Sequence, residues 1–303
     1  MYLPKRSVFM LQFSPLTLED KEIFDKYIKP YKFKTSEYSF TNQYLWRKGS
    51  DVTYTILNDV LIIKKVDYDG TTQFTQPIGY EKENLKEIVD ELIKYRQKHN
   101  MDYLFKDAEE EFVKDFKELY DNNFTIEEDR DNADYIYLKE DLKNLSGKKF
   151  HSKKNHYNAF IKNYEYRTAK ITESIANECL NTAMEWCRQN DCKGYLLHEI
   201  SGIEDVLKNF DKLDVMGMAV YVNDKLSAFT LGEKVNSDMA IIHIEKADVN
   251  VRGLYPFINR TFIEEYLDDI TYINREQDLG IEGLRKSKLS YNPYKLEMKY
   301  CIK

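Results

Sequence analysis

Two turn dipeptides of one kind, Asn58-Asp59 and Asn223-Asp224, constrain this chain more than any other feature. Each separates two stretches rich in β-branched and apolar residues, 52–57 from 60–66 and 215–222 from 225–233. Asn and Asp tolerate the left-handed backbone that a two-residue hairpin turn demands, so each dipeptide predicts an antiparallel hairpin. A third strand follows in both places, 72–76 after the Asp69-Gly70 turn and 239–247. An amphipathic helix comes next: 84–98, with Leu85, Ile88, Val89, Leu92 and Ile93 on one face, and 255–267 in the later half. A strand (103–105 and 270–274), a helix (108–119 and a short run after Gly280) and a closing strand complete each set. The first closing stretch, 124–138, reads as two strands around an acidic turn, and the second, 294–300, as one. Helices precede each meander: 16–28, capped by Thr17, and 39–47 in the first half; 148–163, 174–189 and 196–210, broken at Gly202, in the second, with a strand at 164–169.

The expected fold class is therefore α+β, with each half a mixed, mostly antiparallel sheet flanked by helices. The element order matches the acyltransferase fold of the Gcn5-related N-acetyltransferase (GNAT) type, in two tandem GNAT-like domains, 1–144 and 145–303. The halves share no repeat in their letters, so the duplication rests on element order alone. Three ordered motifs add a resemblance over nearly the whole chain. The run N-R-E-Q-D-L-G-I-x-G-L-R-K-x-K-x-S-Y-x-P at 274–293, L-S-G-K-K-F-H-S-K-K-N-H-Y-N-A-F at 145–160 and E-K-A-D-x-N-V-R-G-L-Y-P at 245–256 resemble the phosphatidylglycerol lysyltransferase C-terminal domain family. That resemblance implies the same tandem architecture, with the active site in the C-terminal domain. Its membrane-bound relatives transfer lysine from lysyl-tRNA to phosphatidylglycerol.

No stretch approaches the roughly 20 apolar residues of a spanning helix. The opening residues 1–11, with Lys5 and Arg6 before a brief apolar patch, are too short for a signal-peptide core, which makes a cytoplasmic location the expectation. Of the four cysteines, none forms a C-x-x-C pair, and Cys179 and Cys187 are expected as buried thiols rather than disulfide or zinc partners. No metal site is expected. The net charge of −7 argues against a surface coated for nucleic acid. It divides unevenly, about −8 over residues 1–142 and about +1 over the rest, so any polyanion site is local and on the second half.

Four constellations carry chemistry. His243 and Glu245 lie two apart on the third strand of the second meander, so alternation puts them on one face with Ile242 and Ile244 behind. In this fold that strand splays from its neighbour to admit the acyl donor. Its carboxylate then serves either as general base for an amine or as half of a His–Glu pair bracing the sheet. The turn 248–256 keeps only Arg252 and Gly253 of an acetyltransferase pyrophosphate loop, because Leu254 and Tyr255 stand where a second glycine belongs. The basic segment 143–167 carries six Lys and Arg167 against Glu165 alone, with Lys153, Lys154 and Asn155 placed to meet a phosphate-bearing donor or simply to face water. Near the C-terminus, Asn274, Glu276 and Asp278 would receive an amine or amino acid, Lys288 and Ser290 lie across a short helix, and Tyr291 is the candidate acid for the leaving group.

Three functions fit these readings. The first is an aminoacyl- or acyltransferase, drawing on aminoacyl-tRNA or an acyl-coenzyme A and delivering to a small molecule, peptide or lipid headgroup. The second is an acyl-coenzyme A N-acetyltransferase with an atypical donor loop. The third is a binding module that has kept the fold and lost the reaction.

Overall fold

The computed structural model describes residues 11–120, 123–190 and 192–303; the opening residues 1–10 lie outside them. The first half runs β1 (Ser14–Pro15), α1 (Lys21–Ile28), α2 (Phe40–Trp46), β2 (Thr53–Leu57), β3 (Val60–Val66), β4 (Thr72–Phe74), α3 (Lys82–His99), β5 (Phe105–Ala108), α4 (Glu110–Tyr120) and β6 (Ile126–Leu138). The second runs α5 (Lys139–Asn144), α6 (His151–Asn163), β7 (Tyr166–Lys170), α7 (Glu173–Gln189), α8 (Tyr195–Lys208), β8 (Val215–Val222), β9 (Lys225–Lys234), β10 (Met239–Ala247), α9 (Leu254–Tyr266), β11 (Tyr272–Asn274), α10 (Glu282–Leu289) and β12 (Lys295–Ile302). Both expected turns form, with Asn58, Asp59, Asn223 and Asp224 at positive φ. Among the described residues, no helix is long and apolar enough to cross a membrane.

Among the described residues twelve strands join one sheet, in the order β1-β2-β3-β4-β5-β12-β6-β11-β10-β9-β8-β7. The two meanders occupy its ends. At its centre the last strand, β12, lies between β5 and β6, and β6 in turn pairs with β11. Strands from 1–144 and 145–303 thus alternate where the halves meet. Period-2 burial supports this arrangement. On β3, Leu61 and Ile63 enter one apolar cluster while Val60 and Ile62 enter another. On β8, Ala219 and Tyr221 join the same cluster as Leu61 and Ile63, whereas Met218 and Val220 pack with α9. The shared cluster holds residues of α1, α2, α7 and α8, so one core fastens both meanders together.

Two expectations about breaks are corrected. Residues 126–138 form one strand, not two around a turn. The acidic stretch is a bulge in it, where the register against β12 jumps from Asp134 to Asp129. Arg130 and Asp131 within the bulge are drawn to Asp278 and Arg285. Helix α8 also runs through Gly202 unbroken. The glycine is there for packing, since a Cβ on it would lie 2.2 Å from the carbonyl oxygen of Leu45 on α2.

A buried polar chain crosses the seam. Lys299 on β12, fully buried, donates to Asp134 on β6 at 2.7 Å and meets Glu37 at 2.6 Å. Burial alone would lower its pKa, but these carboxylates hold it well above the ordinary lysine range. Asp134 also accepts from the Ser36 amide at 2.6 Å and from Asn274 Nδ2 at 2.7 Å. Replacing Lys299 by Met would leave two buried carboxylates without their cation. The expected loss, read from urea denaturation, is about 3–5 kcal/mol.

Candidate active site

β10 and β11 run parallel over only three residue pairs, Met239↔Tyr272, Ala240↔Ile273 and Ile241↔Asn274, and diverge beyond them. At the point of divergence β10 carries a bulge at His243, because Ile242 faces Gly232 on β9 while Ile244 already faces Leu231. One extra residue shifts the alternation of everything after it. The expectation that His243 and Glu245 share a face, with Ile242 and Ile244 behind them, is therefore corrected. Ile242 packs in the cluster under α9 and Ile244 in the one containing α2. Glu245 turns toward α9, where Asn259 Nδ2 donates to its Oε2 at 2.9 Å, and His243 turns toward α2.

The imidazole of His243 is clamped between two carboxylates. Nδ1 lies 2.8 Å from Glu276 Oε1 and Nε2 lies 3.0 Å from Glu233 Oε1. A neutral ring has a single N–H and cannot donate to both, so two carboxylates are served together only by the imidazolium. Burial works against that charge, but Glu233 and Glu276 raise the pKa from 6.5 to about 10. Glu276 itself sits at positive φ, its amide donating to Asn274 Oδ1 at 2.7 Å.

A second set of groups lines the opposite wall. Arg275 Nη2 donates to Glu245 Oε1 at 3.0 Å, while its Nη1 is buried with no hydrogen-bond partner among the described residues. The ring of Tyr291 lies between two cations, the Arg275 guanidinium 4.7 Å and the Lys153 ammonium 4.0 Å from its centre. Burial keeps the Tyr291 hydroxyl protonated well above its usual range. Burial and the neighbouring Arg275 push both Lys153 and Lys288 down to about 8. Lys288 donates to the carbonyl oxygen of Arg275 and, at 3.4 Å, to that of Glu276. Together these groups surround a cavity of about 880 Å³ that also reaches Trp46, Trp186, Arg252 and Leu284.

The description "Phosphatidylglycerol lysyltransferase, C-terminal" belongs to the family whose pattern matches residues 28–303. The chain belongs to this family. A conserved protein of unknown function from Bacteroides thetaiotaomicron VPI-5482 is 34% identical, with a TM-score of 0.89 over 97% of this chain and 100% of that one. L-PGS from Bacillus licheniformis, 15% identical, superposes with a TM-score of 0.62 over 94% of this chain and 90% of its own. A tandem GNAT protein from the clavulanic acid biosynthesis pathway, 10% identical, shares the fold with a TM-score of 0.53. An uncharacterized protein of Mycoplasmoides gallisepticum is 27% identical over 176 residues, which span 56% of each chain. The fold is thus α+β, of the tandem GNAT-like kind.

In this lysyltransferase-family chain the cavity gathers some of the residues singled out from sequence and leaves others elsewhere. Lys153, His243, Glu245, Arg252, Gly253, Glu276, Lys288 and Tyr291 line it. Asn274 and Asp278 do not; both are fully buried braces. Asp278 accepts from Arg285, Tyr135, Arg130 and the Gly280 amide; burial works against its charge, but these donors hold its carboxyl well below the usual range. Ser290 is exposed and donates to the Ser287 carbonyl. On α6, Lys154 faces a separate surface groove with Lys148 and His151, and Asn155 is exposed, so only Lys153 of that trio reaches the cavity. Gly253 has a packing reason, because a Cβ there would lie 2.1 Å from the His156 carbonyl oxygen.

Four further residues of the clamp were not singled out from sequence: Ser39, Thr41 and Asn42, whose only signal was a polar cluster at the start of a short aromatic helix, and Glu233 near the end of β9, which carried none. The expected thiol at Cys187 is also corrected, since Cys187 and Cys192 form a disulfide with Cα atoms 5.0 Å apart at the end of α7. Cys179 is the buried thiol expected, pushed up to about 12 by burial.

The clamp has a pH signature. Its stabilisation is full below about 6.5, where folded and unfolded chains both hold the His243 proton, declines as pH rises, and is gone above about 10. Chemical denaturation from pH 6.5 to 10.5 is expected to show this fall, and His243→Gln to lack it.

Proposed function

We propose that the cavity is the transfer centre of an aminoacyl- or acyltransferase that moves an activated acyl group onto an amine or hydroxyl acceptor. One observation carries the reading: an unpartnered guanidinium N–H, a protonated tyrosine and an open carboxylate oxygen converge where two parallel strands part. Arg275 Nη1 is placed to stabilise the oxyanion that develops on the acyl carbonyl. Tyr291 gives its hydroxyl proton to the departing oxygen or sulfur. Lys153, its pKa near 8, is in part a neutral amine at physiological pH and takes the proton from the attacking acceptor. That proton then restores the tyrosine beneath it, so the transfer is proton-neutral. Glu276 Oε2 has no hydrogen-bond partner among the described residues and receives an ammonium group.

Glu245, proposed from sequence as the base, has both oxygens engaged, by Asn259 and by Arg275. Its role in this reading is to aim the guanidinium. His243, as an imidazolium, fixes Glu276 and abstracts no proton.

Aminoacyl-tRNA is the favoured donor over coenzyme A. The Cβ side of Gly253 is packed against α6, and Pro256, third residue of α9, lacks an N–H, so the helix start offers a poor cradle for a pyrophosphate. Arg252 at the cavity meets a tRNA acceptor end instead.

The test is thermal protection followed by discharge of labelled aminoacyl-tRNA with each acceptor class. Aminoacyl-tRNA is expected to raise the melting temperature where acetyl-coenzyme A does not. Tyr291→Phe is expected to slow discharge about 100-fold, and Lys153→Ala to impair it while Lys154→Ala does not. Protection by acetyl-coenzyme A alone would replace this reading with an N-acetyltransferase. Discharge indistinguishable from buffer would leave a binding module.

A further inference from the structure

The carboxylates that clamp His243 are not held by the C-terminal half alone. Ser39 Oγ donates to Glu233 Oε1, Thr41 Oγ1 donates to Glu233 Oε2 at 2.8 Å, and Asn42 Nδ2 donates to Glu276 Oε1 at 3.2 Å. All three donors come from the cap and first turn of α2, in the other half of the chain. Ser39 is also the N-cap of that helix, its Oγ accepting from the Asn42 amide at 3.0 Å. The side chains of Ser39, Thr41, Asn42, Glu233 and His243 are all buried, so water does not substitute for them.

One imidazolium between two carboxylates leaves the cluster with an excess negative charge. The charged groups that face His243 are Glu233 from β9 and Glu276 from the segment after β11. Lys288 from α10 stands behind Glu276, bonded to its carbonyl. The start of α2 brings neutral donors, and these hold both carboxylates in place.

We propose that Ser39, Thr41 and Asn42 are positioning residues for the C-terminal cavity, holding the Glu233 and Glu276 carboxylates against the two ring nitrogens of His243 so that Glu276 Oε2 stays turned to the substrate amine. This rests on the cavity being the transfer centre. The physical chain is short. Without a donor on Oε2, the buried Glu233 carboxylate is no longer held against His243 Nε2, and the ring loses one of the two charges that keep it protonated. A neutral His243 can then donate to one carboxylate only, and Glu276 loses its fixed orientation.

The test uses the full chain labelled with ¹⁵N-histidine at pH 8, with His243→Gln to assign the signals. Wild type is expected to show both ring nitrogens of His243 protonated. Thr41→Val, which keeps the side-chain shape and removes the hydroxyl, is expected to lose that signature, and Thr41→Ser to regain it. In turnover assays Thr41→Val is expected to raise KM for the amine-bearing substrate about 10-fold, the scale of one hydrogen bond to a charged group, with kcat much less affected. A doubly protonated His243 in folded Thr41→Val, or a neutral one in wild type, would overturn the positioning role whatever the activity. Should Thr41→Val not fold, Asn42→Ala carries the same reading on the Nδ1 side, and an unaltered His243 spectrum there is the adverse result. The spectra need no turnover. A wild type with the expected imidazolium but no transfer from any donor would sink the transfer reading and leave the positioning one standing.

Discussion

A buried imidazolium held between Glu233 and Glu276 ties the two halves of this protein to one another and to the cavity. Charges taken out of water are costly unless each finds a partner and its remaining lone pairs find donors. His243 satisfies both carboxylates only as a cation, and among the described residues the other donors to Glu233 and to Glu276 Oε1 are side chains from the cap and first turn of α2. The shape of the cavity wall therefore depends on the first half being docked. A chain cut between its halves would leave Glu233 and Glu276 each short of a donor.

The same logic runs through the seam beside it. Lys299, Asp134, Glu37, Asn274 and the Ser36 amide form a second buried chain, built from β12, β6, the segment before α2 and the end of β11. Asn274 links the two networks, since its Nδ2 binds Asp134 while its Oδ1 fixes the Glu276 amide. The signature run 274–293 is thus mixed in purpose. Arg275, Glu276, Lys288 and Tyr291 face the cavity, while Asn274 and Asp278 hold the backbone that presents them.

Alternation of strands from the two halves explains how so polar a seam is tolerated. With β12 between β5 and β6, and β6 against β11, backbone groups at the seam pair along ladders on both sides of the β6 bulge. The shared apolar cluster of α1, α2, α7 and α8 supplies the burial, and the side-chain networks then fix which register and which face are used. The disulfide from Cys187 to Cys192 lies just past Trp186, whose ring covers Lys246 and whose Nε1 reaches Tyr255 at 3.0 Å. That end of α7 is part of the cavity rim.

Element types and their order were legible in the letters, because turn dipeptides, period-2 strands and amphipathic helices are local properties. From these came two meanders, the tandem GNAT-like order and, by motif, the family. Glu276, Lys288 and Tyr291, which line the cavity, were singled out for the same reason: they cluster at and just after a predicted strand end. Local signals fail where one residue is inserted or one partner is distant. Nothing in 239–247 marks His243 as a bulge, yet that single residue puts Glu245 on the opposite face and changes its partner from histidine to Arg275. Nothing around Ser39 or Asn42 names Glu233 or Glu276, which lie in the other half. Sequence by itself determined the elements, their succession and the residues available for chemistry. Only the tertiary structure decided which of them meet, because strand register and the pairing of buried charges are settled between segments far apart in the chain.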